Sequence, residues 1–200
     1  MRENHARQKD SAPQSMQNSG PSDSESLVDP VIGIRSGALE SLRQGREMLE
    51  TISPEQYSAP CPQAFDATIG QHYRHCLDHF ELFISQMPSK EINYDLRDRQ
   101  ARIETSPNAA LEKTRQFERV VSELDEKTLN QTIRLSAGVG DRIIGLCHST
   151  VARELYYVTA HAIHHYALIA VIGNHLELSM PRNFGIAPST VAYLAARTRA

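Results

Sequence analysis

Residues 156–172, YYVTAHAIHHYALIAVI, constrain the fold more than any other part of the chain. Almost every position is apolar, aromatic or small, yet His161, His164 and His165 sit in the middle. A run this long without strict alternation favours a helix over a strand. A helix that is apolar nearly all round belongs at the centre of a packed domain, so we expect it to be the most buried helix of the fold. Buried imidazoles need partners for their ring nitrogens, and the core must therefore give these histidines something to hold. Histidines would be costly in lipid, which makes a bundle core the better setting than a membrane span.

Three further segments carry the same three-four rhythm. Apolar or small residues recur at 31, 34, 38, 42, 45, 49 and 52 before Ser53-Pro54 interrupts them. A second face runs through Phe65, Ile69, Tyr73, Cys76, Phe80, Phe83 and Met87 and stops at Pro88. Ser106-Pro107 reads as an N-cap with a first-turn proline, opening a third helix that runs to about Asp125. The fourth helix starts near Ser149 or Thr150 and ends near Asn174. Ile133 and Leu135 alternate with polar residues ahead of AGVGD, which allows a short β-hairpin before the fourth helix. A short C-terminal helix follows from about Ser189. The expected fold class is all-α, a four-helix bundle with these two additions.

At 200 residues the chain suffices for one full-sized core. Residues 1–27 are polar and rich in Ser, Gln and Asn, so we expect a disordered tail there and one helical domain over 28–200. The tail has no apolar centre of the kind a signal peptide needs. A net charge of −3 without a basic run argues against nucleic acid as a partner. Cys61, Cys76 and Cys147 are odd in number and widely spaced, which favours a reducing compartment and a cytoplasmic location. The sequence holds no H-E-x-x-H, G-x-S-x-G, P-loop or dinucleotide fingerprint.

Six of nine histidines form two clusters: His72, His75 and His79 on the second helix, His161, His164 and His165 on the fourth. At about 100° per residue, His72 and His79 lie within roughly 20° of each other beside the apolar stripe, with His75 about 40° further round. The same arithmetic places Glu154, His161 and His165 within roughly 40° of one another, while His164 points aside. Two histidines at i and i+4 with a third from a facing helix suit a divalent transition metal such as zinc, nickel or iron. Unrelated core histidines, each bonded to a neighbour, are the plainer alternative.

IGQHYRHCLDHF from Ile69 and HAIHHYAL from His161 resemble the DinB-like superfamily of four-helix bundles with a three-histidine metal site. The resemblance implies His75, five residues after Gly70, as the ligand from the second helix, with His161 and His165 as the H-x-x-x-H pair. Angular position favours His72 or His79 instead, and His72 is the reserve choice. The ending FGIAPST at 184–190 is similar to that of a subgroup of these proteins. Where many members continue H-H-R-G-Q, this chain has His164, His165, Tyr166, Ala167 and Leu168.

The resemblance implies a metal-dependent enzyme that activates a low-molecular-weight thiol for transfer, or water for hydrolysis. Its rival is a non-catalytic metal-binding bundle, a stress-associated homodimer in which His72 or His164 supplies a fourth ligand. Glu154 is the candidate catalytic side chain, able to orient an imidazole or take a proton. It equally suits the first turn of a helix by its charge. The loop INYDLRDR from Ile92 reads as a surface ion-pair network before a substrate-binding rim. Cys76, on the apolar face, reads as packing.

Overall fold

Proline and cap residues divide the chain where the rhythm breaks. A computed structural model describes residues 30–98, 100–139 and 142–198. The expected tail over 1–27 lies outside the described residues. The helices are α1 (Pro30–Thr51), α2 (Pro54–Ser58), α3 (Ile69–Gln86), α4 (Ala101–Thr105), α5 (Pro107–Ser122), α6 (Glu126–Leu129), α7 (Val151–His175) and α8 (Pro188–Thr198). The strands are β1 (Glu91–Ile92), β2 (Thr132–Val139) and β3 (Arg142–Thr150).

Four long helices, α1, α3, α5 and α7, make the bundle. Each of α1 and α3 packs against both α5 and α7. The apolar stripes meet in a single core that includes Leu42, Met48, Tyr73, Phe80, Phe117, Leu155 and Ile169. Phe80 lies against Phe117 with ring centroids 6.0 Å apart. The Tyr73 hydroxyl meets Thr114 Oγ1 at 2.9 Å, tying α3 to α5. Tyr73 also stacks on Tyr166 at 5.9 Å and 6°, which pins α3 to α7. Gly45 of α1 faces that stack, where a Cβ would come within 2.3 Å of the Tyr166 hydroxyl and 2.4 Å of the Tyr73 hydroxyl. Glycine at this position is what lets α1 close on the other two.

The hairpin expected before the fourth helix is present and longer than its sequence suggests. β2 pairs antiparallel with β3 and parallel with the two-residue β1. The sheet order is β1-β2-β3, with a register shift at Ala137/Gly138. β3 leads straight into α7, whose first turn is capped by Thr150 accepting from the Arg153 amide at 3.2 Å.

Two local expectations change. Phe65 is not part of the second helix's buried face: it is 99% exposed with φ of +56°, and the helix begins only after Thr68. Thr68 and Gln71 form a reciprocal capping box there, which outweighs the apolar spacing. Nor is α7 the most buried helix, since 11 of its 25 residues are buried against ten of 18 in α3. Tyr156 and Val171 stay exposed on its outer side. By length and composition α7 is apolar enough to cross a membrane, and its inner face packs on α1 and α3 as a bundle helix.

Candidate metal centre

The start of α3 sets where its histidines point. Gly70 lies so close to α4 that a Cβ would meet the Glu104 carbonyl oxygen at 2.0 Å. Tyr57 holds the same corner by donating to the Ile103 carbonyl at 2.9 Å. With that end fixed and Tyr73 directed into the core, the flank carrying His72, His75 and His79 is laid along α7. The i and i+4 pair His161 and His165 comes from the facing stripe of α7.

One potential ligand atom each from His75, His161 and His165 lies within 4.8 Å of the other two. Nε2 of His75 is 3.0 Å from Nε2 of His161. Ring centroids are 4.5 Å (75–165), 4.7 Å (161–165) and 4.9 Å (75–161), with interplanar angles between 61° and 75°. Edge-to-face rings bring nitrogens together, whereas stacked rings would hold them apart. A tetrahedral ion with metal–nitrogen bonds of about 2.0–2.1 Å sets its nitrogens roughly 3.3 Å apart, close to the 3.0 Å seen here. The donor set therefore fits a divalent transition metal, and the three side chains can hold one.

Their protonation state agrees. Burial, followed by the charges of neighbouring histidines, lowers His75 and His165 to about 3 and His161 to about 4. All three are neutral near pH 7, the form that has a lone pair to give.

The other histidines take supporting places. Nδ1 of His72 lies 3.1 Å from Nδ1 of His165, so one of them donates. If His165 is the donor, its Nε2 lone pair is left for a metal. His79, only 6% exposed, gives its Nδ1 proton to the His75 carbonyl at 3.0 Å. Its ring lies 4.1 Å from that of His161. His164 is exposed, in keeping with its angular position. Angular reasoning favoured His72 or His79 because the apolar stripe of α3 aims at the bundle centre between α5 and α7. The histidine flank faces α7 and the loop after β1.

Glu154 is completely buried. Its Oε2 accepts from the Tyr94 hydroxyl at 3.0 Å, and its Oε1 from Ser149 at 2.6 Å and Arg153 at 3.0 Å. Among the described residues it hydrogen-bonds no histidine. Its link to the cluster runs through Tyr94, whose ring stacks on His79 at 5.6 Å and 18° and packs against Tyr157 at 5.1 Å. Burial and the Glu154 charge push the Tyr94 hydroxyl up, so it stays a proton donor. The loop after β1, read from sequence as a surface ion-pair network, turns inward at two points. Tyr94 reaches Glu154, and Arg97 Nη1 reaches His75 Nδ1 at 2.8 Å. Neither residue forms an ion pair among the described residues. The only signal available beforehand was the position of this loop directly after the histidine-bearing helix. Cys76 is buried with its thiol pushed up by burial, a packing residue as expected.

A bundle whose two facing helices gather three neutral imidazoles defines a class of helical metal-site proteins. Residues 40–169 match the DinB superfamily, well over half the chain, and the protein belongs to that family. It is also similar to FK506-binding protein 5 of Rhizopus delemar, at 39% identity over 114 residues. That match takes in 54% of this chain and 30% of the relative, so the chain spans less than a third of the relative's length. No solved structure matches the chain.

Proposed function

We propose that this DinB-superfamily protein is a metal-dependent enzyme holding one zinc, nickel or iron ion on His75, His161 and His165. Its preferred reaction activates a low-molecular-weight thiol for S-transfer, with hydrolysis by activated water next. The observation that carries the reading is the ligand count. Among the described residues no fourth His, Cys, Asp or Glu atom joins the group of three, which leaves a coordination position for a small molecule. When bound, such an ion supplies Lewis acidity that makes a thiol or water a better nucleophile at neutral pH.

The chain's own residues divide the remaining work. His75, His161 and His165 present neutral nitrogens, and His72 orients His165 through its Nδ1. Glu154 holds the Tyr94 hydroxyl, and Tyr94 covers His79 and limits water on that side. Glu154 thus acts through Tyr94 as a positioning residue. The name of the Rhizopus delemar relative refers to FK506 binding by that protein, and the partial match adds no ligand to this reading.

The test is a titration of the cobalt(II)-loaded full chain with 2-mercaptoethanol, followed by absorption. The expected result is a thiolate-to-cobalt band that saturates near one thiol per chain. A cobalt spectrum indifferent to thiol would mark a closed centre and favour the non-catalytic metal-binding bundle.

A further inference from the structure

Among the described residues, Arg97 sits against the proposed metal centre without the carboxylate partner that a guanidinium calls for. Its Nη1 donates to Nδ1 of His75 at 2.8 Å, and its Nε is enclosed with no hydrogen-bond partner among the described residues. The nearby carboxylate of Asp78 is already engaged by Arg74 Nη1 at 2.6 Å. A guanidinium keeps its charge at any working pH, and enclosing part of it without an anion is costly. An imidazole lone pair is a weak substitute for a carboxylate.

That substitute also conflicts with metal binding. His75 turns Nε2 toward His161 and Nδ1 toward Arg97. A neutral ring that gives its Nε2 lone pair to an ion carries its proton on Nδ1, and an N–H cannot accept from arginine. With the triad loaded, Arg97 must leave His75, and its N–H fork becomes free at the edge of the centre.

Resting on the function proposed above, we infer that the substrate carries a carboxylate near its reacting atom and that Arg97 holds it. The planar fork matches a carboxylate with two parallel hydrogen bonds. One unpaired guanidinium balances one negative charge, which favours a carboxylate over a phosphate dianion. Tyr94, from the same loop, and Tyr157 form apolar walls beside the cluster, so the remainder of the substrate is small and largely apolar.

The experiment uses the cobalt(II)-loaded full chain with acetate as the probe and acetamide as its neutral isostere, read by the cobalt absorption spectrum. Cobalt content is measured on the same samples. Relative to wild type, Arg97→Gln is expected to bind acetate roughly tenfold more weakly, with acetamide binding and cobalt content unchanged. Arg97→Lys, which keeps the charge but not the fork, should fall between the two. Equal acetate affinity in wild type and Arg97→Gln would overturn the inference. Loss of cobalt from Arg97→Gln would overturn it as well, by showing that Arg97 only supports the ligands. Wild-type protein that takes up no cobalt would remove the metal reading itself, and this inference with it.

Discussion

Nε2 of His75 and Nε2 of His161 face each other at 3.0 Å across the contact between α3 and α7. Two neutral imidazoles meet this closely only if one gives the other a proton or both give lone pairs to a shared ion. His165 stands one turn further along α7 with its ring 4.5 Å from that of His75, which adds a third donor to the same point. The three side chains can hold one ion at this contact.

His72 should matter less than the ligands and more than a surface histidine. It touches His165 at 3.1 Å and lies outside the group of three. We expect His72→Ala to weaken zinc affinity about 10–100-fold, the usual cost of losing a residue that orients a ligand. Competition with a chelator of known affinity measures it. No change would show that the contact does not orient His165, and complete loss would make His72 a ligand.

The buried carboxylate offers a test of the rim. Tyr94→Phe leaves Glu154 Oε2 without its donor, and Glu154→Leu leaves the Tyr94 hydroxyl without its acceptor. Each should lower stability by about 1–3 kcal/mol, since a buried polar atom loses its partner. The double variant should cost less than the sum, because the two side chains share one interaction. Denaturant unfolding of the four proteins gives the coupling energy. Strict additivity would mean that the hydrogen bond does not form in solution.

Acid should destabilise the metal-free protein through the same histidines. Folded values of about 3 for His75 and His165 and about 4 for His161 lie below the unfolded value near 6.5. As pH falls below about 6.5 the unfolded chain takes up protons that the folded chain refuses, so stability present above that pH is progressively lost on the way to about 4 and then 3. Melting temperature of chelator-treated protein between about pH 7.5 and 5 should fall more steeply for wild type than for the variant with all three changed to Leu. Parallel curves would contradict the burial of these side chains.

The bundle was legible because helix periods and cap residues act locally. Ser106 before Pro107 and Thr150 before Val151 cap the helices that the apolar spacing indicates. Phe65 misled because apolar spacing continues past a helix start that the Thr68 cap decides. The choice between His72 and His75 depended on which neighbour each flank of α3 meets, and periodicity along one helix carries no such information. The inward turns of Tyr94 and Arg97 were hidden for a related reason. A polar loop reads as surface until the residues beneath it, Glu154 and His75, are seen to need partners.

The central claim is that His75, His161 and His165 together bind one divalent metal ion. Metal analysis of the full chain, purified without a His tag from zinc- and nickel-supplemented buffer, tests it most directly. We predict close to one ion per chain in wild type and in His164→Ala, whose side chain is exposed beside the cluster, and almost none in His165→Ala. Absence of metal from wild type, or its retention in His165→Ala, would contradict the account.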